Sequence, residues 1–271
     1  MKLALLTLAS AVCAQANLWR AYAGLSTNAY QKRFDELVSQ GYRLTSVDGY
    51  VQDDEPAFAV IFEQKPSPAW RSHSGLTSDQ YHAKFEDYLN QGYHVVQVNG
   101  YTVNGTDYYA AIWDKSPVGP WASRHGMSTK GTQKYFNAYR DEGYRMTHIS
   151  GYEVSHEARY AAVWEKSDDN STAWESRGNL TASQYQSTFD DFVKKGYRPV
   201  HVDGYEVDGE VYYAAIFEKS SSGPWVAHHG LNAAAFQKEF DALLKKGYAL
   251  RTLSAYNDGD KPLFAGIWVK P

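Results

Sequence analysis

Polar side chains recur at one position of this 271-residue sequence, three residues after each of five regularly spaced tryptophans. All of them form hydrogen bonds, and the arginines among them pair with carboxylates. Brought together, such groups would hold a ligand carboxylate or the hydroxyls of a sugar. The alternative, which the sequence favours, is a solvated strand end beside a helix start, because exposed polar positions are the norm. The set comprises Tyr22, His73, Arg124, Arg177 and His228.

Carboxylates form a second recurring set, one residue beyond an aromatic side chain near the end of a repeated strand. Several carboxylates in one place shift one another's pKa toward acid–base chemistry, or bind a hard cation such as Ca²⁺. The alternative is a rim of ordinary ion pairs with Arg43, Arg145 or Arg198, and we favour it because surface ion pairs are common. The set comprises Glu63, Asp114, Glu165 and Glu218, and Val269 interrupts it.

The sequence lacks the compact motifs of common enzymes, including G-x-S-x-G, H-E-x-x-H, G-x-G-x-x-G and a Walker lysine loop. No metal or cofactor is predicted either, since no D-x-D-x-D-G loop occurs and the adjacent His228 and His229 point to opposite faces of a strand. The sequence therefore favours a protein without catalysis. A single central site built from His125, Arg124 and the rim carboxylates is the alternative for a hydrolase or an inhibitor.

Composition limits the classes of partner. Lys and Arg number 27 against 31 Asp and Glu, for a net charge of -4 without any basic run. This excludes the positive patch by which proteins hold nucleic acid or anionic lipid. The hydrophobic share of 43% indicates a packed protein, and the aromatic share of 15% provides large side chains for its core.

The first 16 residues have the parts of a secretory signal peptide: a basic Lys2, an apolar stretch and the small-residue site Ala14–Ala16. The one cysteine, Cys13, lies in this segment, so we expect a mature chain of residues 17–271 without thiols or disulfides. No later apolar run reaches membrane length. We expect a secreted, extracellular glycoprotein, with the sequons Asn104, Asn170 and Asn179 as candidate glycosylation sites.

A period of about 51 residues organises the rest of the sequence, which reads as five copies of one unit. Five tryptophans recur with spacings of 51, 51, 53 and 51 residues, at positions 19, 70, 121, 174 and 225. Five glycines keep the same spacings, at positions 41, 92, 143, 196 and 247. We assign one five-repeat domain, with repeats over residues 19–69, 70–120, 121–173, 174–224 and 225–271.

Local signals within one copy predict a strand, a helix and a hairpin. In the second copy, Thr77 and Gln80 form a capping-box pattern, and an aromatic stripe predicts a helix over residues 78–91. Asn104-Gly105 is typical of a type I′ hairpin turn. The return strand over residues 109–115 is apolar on both faces, so we expect it to be covered on both. The outgoing strand is less regular, which indicates a bulge or an edge position.

Five β-α-β-β units give an α+β fold, and one helix cannot bury its stripe alone, so the units must pack together. Copies one and five keep their core positions instead of carrying polar caps. This favours a closed propeller-like ring, in which the Trp19 segment pairs beside the last hairpin. An open arc is the alternative.

The pattern W-x(4)-G-L, F-x(6)-G-Y, G-Y and Y-A-A-I-W-[DE]-K resembles the tandem repeat domain that precedes a β-lactamase-like serine hydrolase domain in bacterial proteins and fungal polyglycine hydrolases. The resemblance recurs in all five copies and covers residues 17–271. In that family, peptide cleavage belongs to the hydrolase domain with its S-x-x-K motif. This sequence has no S-x-x-K, so no catalytic residue is carried over. The resemblance implies a secreted repeat module for target binding.

We therefore expect a binding module for an extracellular glycan, peptide or protein, in which five similar weak sites gain by multivalency. Variation between copies at Ser46, Gln97, His148, His201 and Thr252 marks where a ligand-specific surface is expected. The alternatives are a secreted hydrolase or inhibitor with one central site, and a structural or host-interaction protein. No cofactor, nucleic-acid or membrane partner is expected, and the oligomeric state stays open.

Overall fold

A computed structural model describes residues 18–166, 172–221 and 223–270 of the chain. The predicted signal segment, Cys13 and the sequon at Asn170 lie outside these residues. Within them, each repeat has one helix of 13 residues and one three-stranded sheet. The predicted α+β fold of five β-α-β-β repeats is confirmed at this level.

The elements follow the same order in every repeat, and we refer to the three strands of a repeat as its first, second and third. Repeat one contains β1 (Trp19–Ser26), α1 (Thr27–Ser39), β2 (Arg43–Gln52) and β3 (Glu55–Glu63). Repeat two contains β4 (Trp70–Leu76), α2 (Ser78–Asn90), β5 (His94–Val103) and β6 (Thr106–Asp114). Repeat three contains β7 (Trp121–Ser128), α3 (Thr129–Asp141), β8 (Tyr144–Val154) and β9 (Glu157–Lys166). Repeat four contains β10 (Trp174–Thr181), α4 (Ala182–Lys194), β11 (Arg198–Val207) and β12 (Glu210–Glu218). Repeat five contains β13 (Trp225–Asn232), α5 (Ala233–Lys245), β14 (Ala249–Asp258) and β15 (Lys261–Val269).

The helices begin where local capping signals place them. In α2 the Thr77 hydroxyl accepts the Gln80 backbone N–H, and the Gln80 side chain accepts the Thr77 N–H, which completes the predicted capping box. The glycine after the helix, Gly92, has φ +81°, the left-handed region that ends a helix at low cost. Helix α3, whose sequence has Thr132 in place of the first ring of the stripe, contains no buried residue, unlike the other four helices.

In every sheet the third strand is central and pairs antiparallel with the first and second strands. The register of β5 shifts between Val95 and Gln97, which is the irregularity predicted for the outgoing strand. Both faces of the third strand are covered, as predicted. In β6, Ala111 and Trp113 pack with residues of α2, whereas Ala110 and Ile112 belong to an apolar cluster with the first repeat.

The prediction that the Trp19 segment pairs beside the last hairpin is wrong. Strand β1 pairs with β3 of its own repeat, with Trp19 opposite Glu63. The third strand has two edges, and after the hairpin partner has taken one, the first strand takes the other within the same unit. No ladder joins two sheets in the part of the chain that the structure describes.

Repeats contact one another through side chains, and repeat five contacts repeat one in the same way as sequence neighbours contact each other. The second strands touch in the series β2–β5, β5–β8, β8–β11 and β11–β14, and β14 also touches β2. The tryptophan that opens each later repeat packs edge-on against a phenylalanine of the preceding helix, as Trp70 does against Phe34 with ring centroids 5.7 Å apart. Trp19 packs in the same way against Phe240 of α5, also at 5.7 Å.

Of the described helices, none combines the length and the apolar character needed to span a bilayer.

Candidate functional site

One polar side chain from each second strand lies buried where these strands meet. Each accepts a hydrogen bond from a backbone N–H of the preceding repeat. Gly49 donates to Asn99 Oδ1 at 2.8 Å, Gly100 to Ser150 Oγ at 3.2 Å, Gly151 to Asp203 Oδ2 at 2.7 Å, and Gly204 to Ser254 Oγ at 3.0 Å. Ala255 of repeat five donates to Asp48 Oδ2 of repeat one at 2.8 Å. We call Asp48, Asn99, Ser150, Asp203 and Ser254 the central polar residues.

Two of the central polar residues are carboxylic acids whose pKa is raised. Burial raises the pKa of Asp48 to about 7, against hydrogen bonds from the Ala255 N–H, Ser254 and Asn99, which lower it. Burial, followed by the negative charge of Asp48, raises the pKa of Asp203 well above its ordinary value. Because both effects penalise a second negative charge, this centre favours a protonated carboxyl at neutral pH.

A cavity of about 570 Å³ opens beside the central polar residues, on the side of the hairpin turns. All five second strands contribute to its wall. Its lining includes the acidic side chains of Asp48, Asp53, Asp54, Glu153, Glu206 and Asp260, and among the described residues no lysine or arginine lines it. Carboxylates in a concave surface with low-dielectric walls concentrate the negative potential and attract cations.

Tyrosines that follow the central polar residues also line the cavity. The ring of Tyr101 lies so close to Gly49 of the preceding repeat that a Cβ there would collide with it. The Tyr101 hydroxyl accepts the N–H of Gly75, in the bulge of its own first strand, at 3.1 Å. The equivalent Tyr152 bonds to the hydroxyl of Tyr109 at 2.7 Å, and burial raises the pKa of Tyr152 to about 12. The tyrosines thus hold neighbouring repeats together and form a fixed wall.

The family profile of the polyglycine hydrolase-like structural repeat matches the chain five times, over residues 16–65, 67–116, 118–167, 171–220 and 222–271. The chain belongs to this family. Each match begins three residues before the tryptophan that marks a repeat, and together the matches cover nearly all of residues 16–271. The resemblance seen in the sequence is confirmed.

In these polyglycine hydrolase-like repeats, the polar residues three positions after each tryptophan contact their own repeat. His73 Nε2 lies 2.6 Å from the Tyr88 hydroxyl, and Arg124 donates to the Tyr139 hydroxyl at 3.2 Å. His228 Nε2 lies 3.7 Å from Glu239. Arg177 stacks over Phe192, and Arg33 stacks over Tyr22, at 5.2 and 5.1 Å from the ring centroids. These contacts place the five residues beside five separate helices, and none of the five lines the cavity.

The carboxylates at the ends of the third strands form ion pairs between repeats. Arg43 donates to Asp114 of the next repeat at 3.0 Å, and both are buried. Arg145 pairs with Glu218 in the same way, and Arg251 of repeat five pairs with Glu63 of repeat one. Arg198, the third partner named from the sequence, instead donates to Ser220 Oγ at 2.7 Å.

Glu165 is the remaining carboxylate of this set. Burial raises its pKa, while the nearby His94 and Arg145 lower it. Asp114, by comparison, has a lowered pKa, because hydrogen bonds from Ser116 and Arg43 outweigh the effect of its burial. The carboxylates are therefore distributed over the interfaces between repeats rather than gathered at one site.

Four of the five positions expected to form a ligand-specific surface, all but the half-buried Ser46, are contacts between repeats. Gln97 Nε2 donates to the Val47 carbonyl at 2.9 Å. His148 Nε2 lies 3.1 Å from the Val98 carbonyl, and His201 Nε2 lies 2.7 Å from the Ile149 carbonyl. Gln97, His148 and Thr252 are buried. The prediction rested on variation between copies, and such variation also occurs at contacts inside the assembly.

His125 and Arg124, the proposed start of a single central site, face different neighbours. His125 packs edge-on against Tyr81 of the preceding helix with ring centroids 4.7 Å apart. Arg124 stacks over Tyr135 of its own helix. The structure does not bring these two side chains together with the rim carboxylates.

Two of the three sequons lie in the described residues. Asn104 is exposed in the β5–β6 turn, and Asn179 is exposed in the bulge of β10. Both positions leave the side-chain amide accessible, and glycosylation stays a prediction.

The central polar residues were missed by the sequence analysis, although a signal for them exists. The residue before each G-Y or A-Y pair of the second strand is a small polar one in all five copies: Asp, Asn, Ser, Asp and Ser. A small polar side chain inside an otherwise apolar strand indicates a buried hydrogen-bonding role. Only the convergence of five repeats shows that these residues meet.

Proposed function

We propose that the five repeats close into a propeller-like ring. Three kinds of contact that join successive repeats also join repeat five to repeat one: a tryptophan on a helix phenylalanine, an N–H donated to a central polar residue, and an arginine–carboxylate pair. One apolar cluster combines Trp19 and Tyr50 with Phe236 and Phe264. An open arc leaves these apolar side chains in water, which is unfavourable by about 25 cal/mol for each Å² exposed.

We propose further that the protein is a secreted binding module without catalysis of its own, and that its ligand is an extracellular peptide carrying positive charge. The observation that carries this proposal is the cavity, which is lined by six acidic side chains and, in the part of the chain that the structure describes, by no lysine or arginine. A protonated amine or a guanidinium forms charge-assisted hydrogen bonds with such a wall, and the tyrosine rings add cation–π contacts. A neutral glycan gains nothing from this charge, so the lining favours a peptide over a sugar.

The size of the cavity is consistent with this ligand. Its volume of about 570 Å³ lies within the range of roughly 300–1,000 Å³ that is typical of small-molecule sites. It accommodates a chain end or one to three residues rather than a folded domain. Secretion is supported by the signal-peptide pattern of residues 1–16.

The proposal is tested by titrating the purified protein with short fluorescent peptides that differ only in charge: a lysine-containing peptide, its acetylated form and a glutamate-containing form. We expect the lysine peptide to bind, and its affinity to fall as salt is raised, since screening weakens the attraction. The variant Asp54→Asn with Asp260→Asn should weaken binding. Glu86→Gln on the outer face of α2, 63% exposed, is the matched control and should leave it unchanged.

If the three peptides bind equally well, or if the double variant binds the lysine peptide as tightly as the parent protein does, the assignment of a cationic ligand is contradicted. Binding of none of them by a folded protein would favour the structural or host-interaction alternative.

A further inference from the structure

A glutamate, a histidine and an aspartate come together on the rim of the cavity, between the third and fourth repeats. Glu153 lies two residues before the β8–β9 turn, His156 is the second residue of that turn, and Asp208 is the first residue of the β11–β12 turn. One ligand atom from each lies within 4.8 Å of the others. His156 and Asp208 are well exposed, and Glu153 is 29% exposed and lines the cavity.

The three side chains are oriented by contacts among themselves. The Asp208 backbone N–H donates to Glu153 Oε2 at 2.8 Å, which leaves Glu153 Oε1 directed toward His156 Nδ1 at 3.9 Å. His156 Nδ1 donates to Asp208 Oδ1 at 2.6 Å. One glutamate oxygen is therefore anchored while the other faces the imidazole, an arrangement that orients a ligand before a metal arrives.

The other interfaces between repeats do not supply this donor set. The equivalent three positions hold Val51, Asp54 and Asn104 at the first interface, and Thr102, Gly105 and Ser155 at the second. They hold Glu206, Gly209 and Gly259 at the fourth, and Asn257, Asp260 and Asp53 between repeats five and one. At these equivalent positions, only the set between repeats three and four combines an imidazole with two carboxylates.

We propose that Glu153, His156 and Asp208 bind a divalent transition-metal ion, with Zn²⁺ as the ion best matched. One imidazole nitrogen and two carboxylate oxygens form a donor set that Zn²⁺ accepts, with water completing the coordination. Two ligands at about 2.0–2.1 Å from a tetrahedral Zn²⁺ lie about 3.3 Å apart. The separations of 2.6 and 3.9 Å around His156 Nδ1 bracket that value, so the turns need to move by well under 1 Å.

The location of the site strengthens the attraction for a cation. Glu153 belongs to the acidic lining of the cavity, and Glu206 and Asp260 lie in the same wall. Their combined negative potential raises the local concentration of divalent ions. A proton competes with the metal for the imidazole, because a histidine must be neutral to bind a metal ion.

Isothermal titration of the tag-free protein with ZnCl₂ at pH 7.5 tests the proposal. We expect one equivalent of Zn²⁺ to bind, with an affinity that falls on going to pH 5.5. His156→Gly should weaken binding by roughly tenfold or more. Glycine already occupies this turn position in repeats two and four, as Gly105 and Gly209, so the variant keeps the turn.

Glu206→Gln is the matched control. It removes one carboxylate from the same wall and the same strand position but no proposed ligand, since Glu206 contacts the Gly259 N–H at the fourth interface, where Gly209 takes the place of His156. Its affinity for Zn²⁺ should stay within about threefold of that of the parent protein. Circular dichroism verifies that each variant is folded.

Three results would overturn the proposal: no saturable binding of Zn²⁺, unchanged affinity in His156→Gly, or loss of binding in His82→Ala. The last would assign the metal to the exposed His82–Glu86 pair on α2, whose atoms lie 3.3 Å apart.

Discussion

The contact between Trp19 and Phe240 decides whether the ring is closed, and a double-mutant cycle measures it directly. Trp19 belongs to the first strand of repeat one and Phe240 to the helix of repeat five, with ring centroids 5.7 Å apart and an interplanar angle of 70°. Trp70 and Phe34 provide an internal control, since they make the same contact between two successive repeats at 5.7 Å and 65°.

The size of the expected effect follows from burial. Trp19 is 9% exposed and Phe240 is 1% exposed, so each is almost fully removed from water. Replacing either by alanine should destabilise the protein by about 3–5 kcal/mol. An edge-on aromatic pair adds about 0.5–1.5 kcal/mol beyond area burial. The free energy lost in the double variant should therefore be smaller than the sum of the two single losses by about that amount.

The measurement is urea unfolding followed by far-ultraviolet circular dichroism for the parent protein, Trp19→Ala, Phe240→Ala and the double variant. A second cycle compares the parent protein with Trp70→Ala, Phe34→Ala and the double variant of these two residues. In an open arc Trp19 and Phe240 do not touch, so their coupling energy is zero while that of the control pair persists. That combination of results would refute ring closure, whereas similar coupling in both cycles would support it.

Three further predictions concern buried polar groups. Asp203→Asn keeps an acceptor for the Gly151 N–H. Because the folded-state pKa of Asp203 is raised, the parent protein loses stability as pH rises from about 4. The variant lacks this carboxyl group, so thermal unfolding should show it to be the more stable of the two proteins at pH 8. Burial lowers the pKa of His201 to about 4, so stability is lost as pH falls from 6.5 toward 4. The free energy of unfolding should therefore fall between pH 7 and pH 4 by about 3 kcal/mol less in His201→Gln than in the parent protein, as measured by urea unfolding at both pH values. Arg43→Ala removes the arginine partner of the buried Asp114, which keeps only its hydrogen bonds from Ser116 and the nearby His94, and should cost about 3 kcal/mol. Arg251→Ala, at a 46% exposed side chain, should cost less than about 1 kcal/mol. Equal losses in denaturant midpoint would contradict this reasoning.

The repeat unit itself could be predicted because its signals are local. A capping box, a left-handed glycine and an Asn-Gly turn each involve a few neighbouring residues, and in the second repeat they place α2 at Ser78–Asn90 against a predicted 78–91. The bulge was also indicated, because Val95 and Val98 do not fit strict alternation. The sequence does not say which edge of the third strand the first strand occupies, since pairing within the unit and pairing with a neighbour satisfy the same hydrogen bonds.

The candidate site could not be predicted in this way, because its residues come from all five repeats. Asp48 and Asp203 are 155 positions apart, and neither differs locally from any other aspartate within a strand. The residues that did attract attention, such as His73 and Arg124, recur at one place in the unit and are used for contacts with the helix of that unit. Recurrence in every copy thus indicated packing, and the chemical features arose where the copies differ.

That difference between recurrent and variable positions bears on the proposed binding function. The apolar contacts between repeats are nearly the same at every interface, so they stabilise the assembly whatever polar residues lie beside them. The polar residues are free to vary, and the interface of repeats three and four holds the most unusual set: the pair of His148 and His201, with ring centroids 4.4 Å apart, and the rim cluster around His156. Five equivalent weak sites require five equivalent surfaces, whereas the cavity has one wall that differs from the others. We therefore favour a single asymmetric site over five-fold multivalency, with the specificity for its ligand residing at that interface.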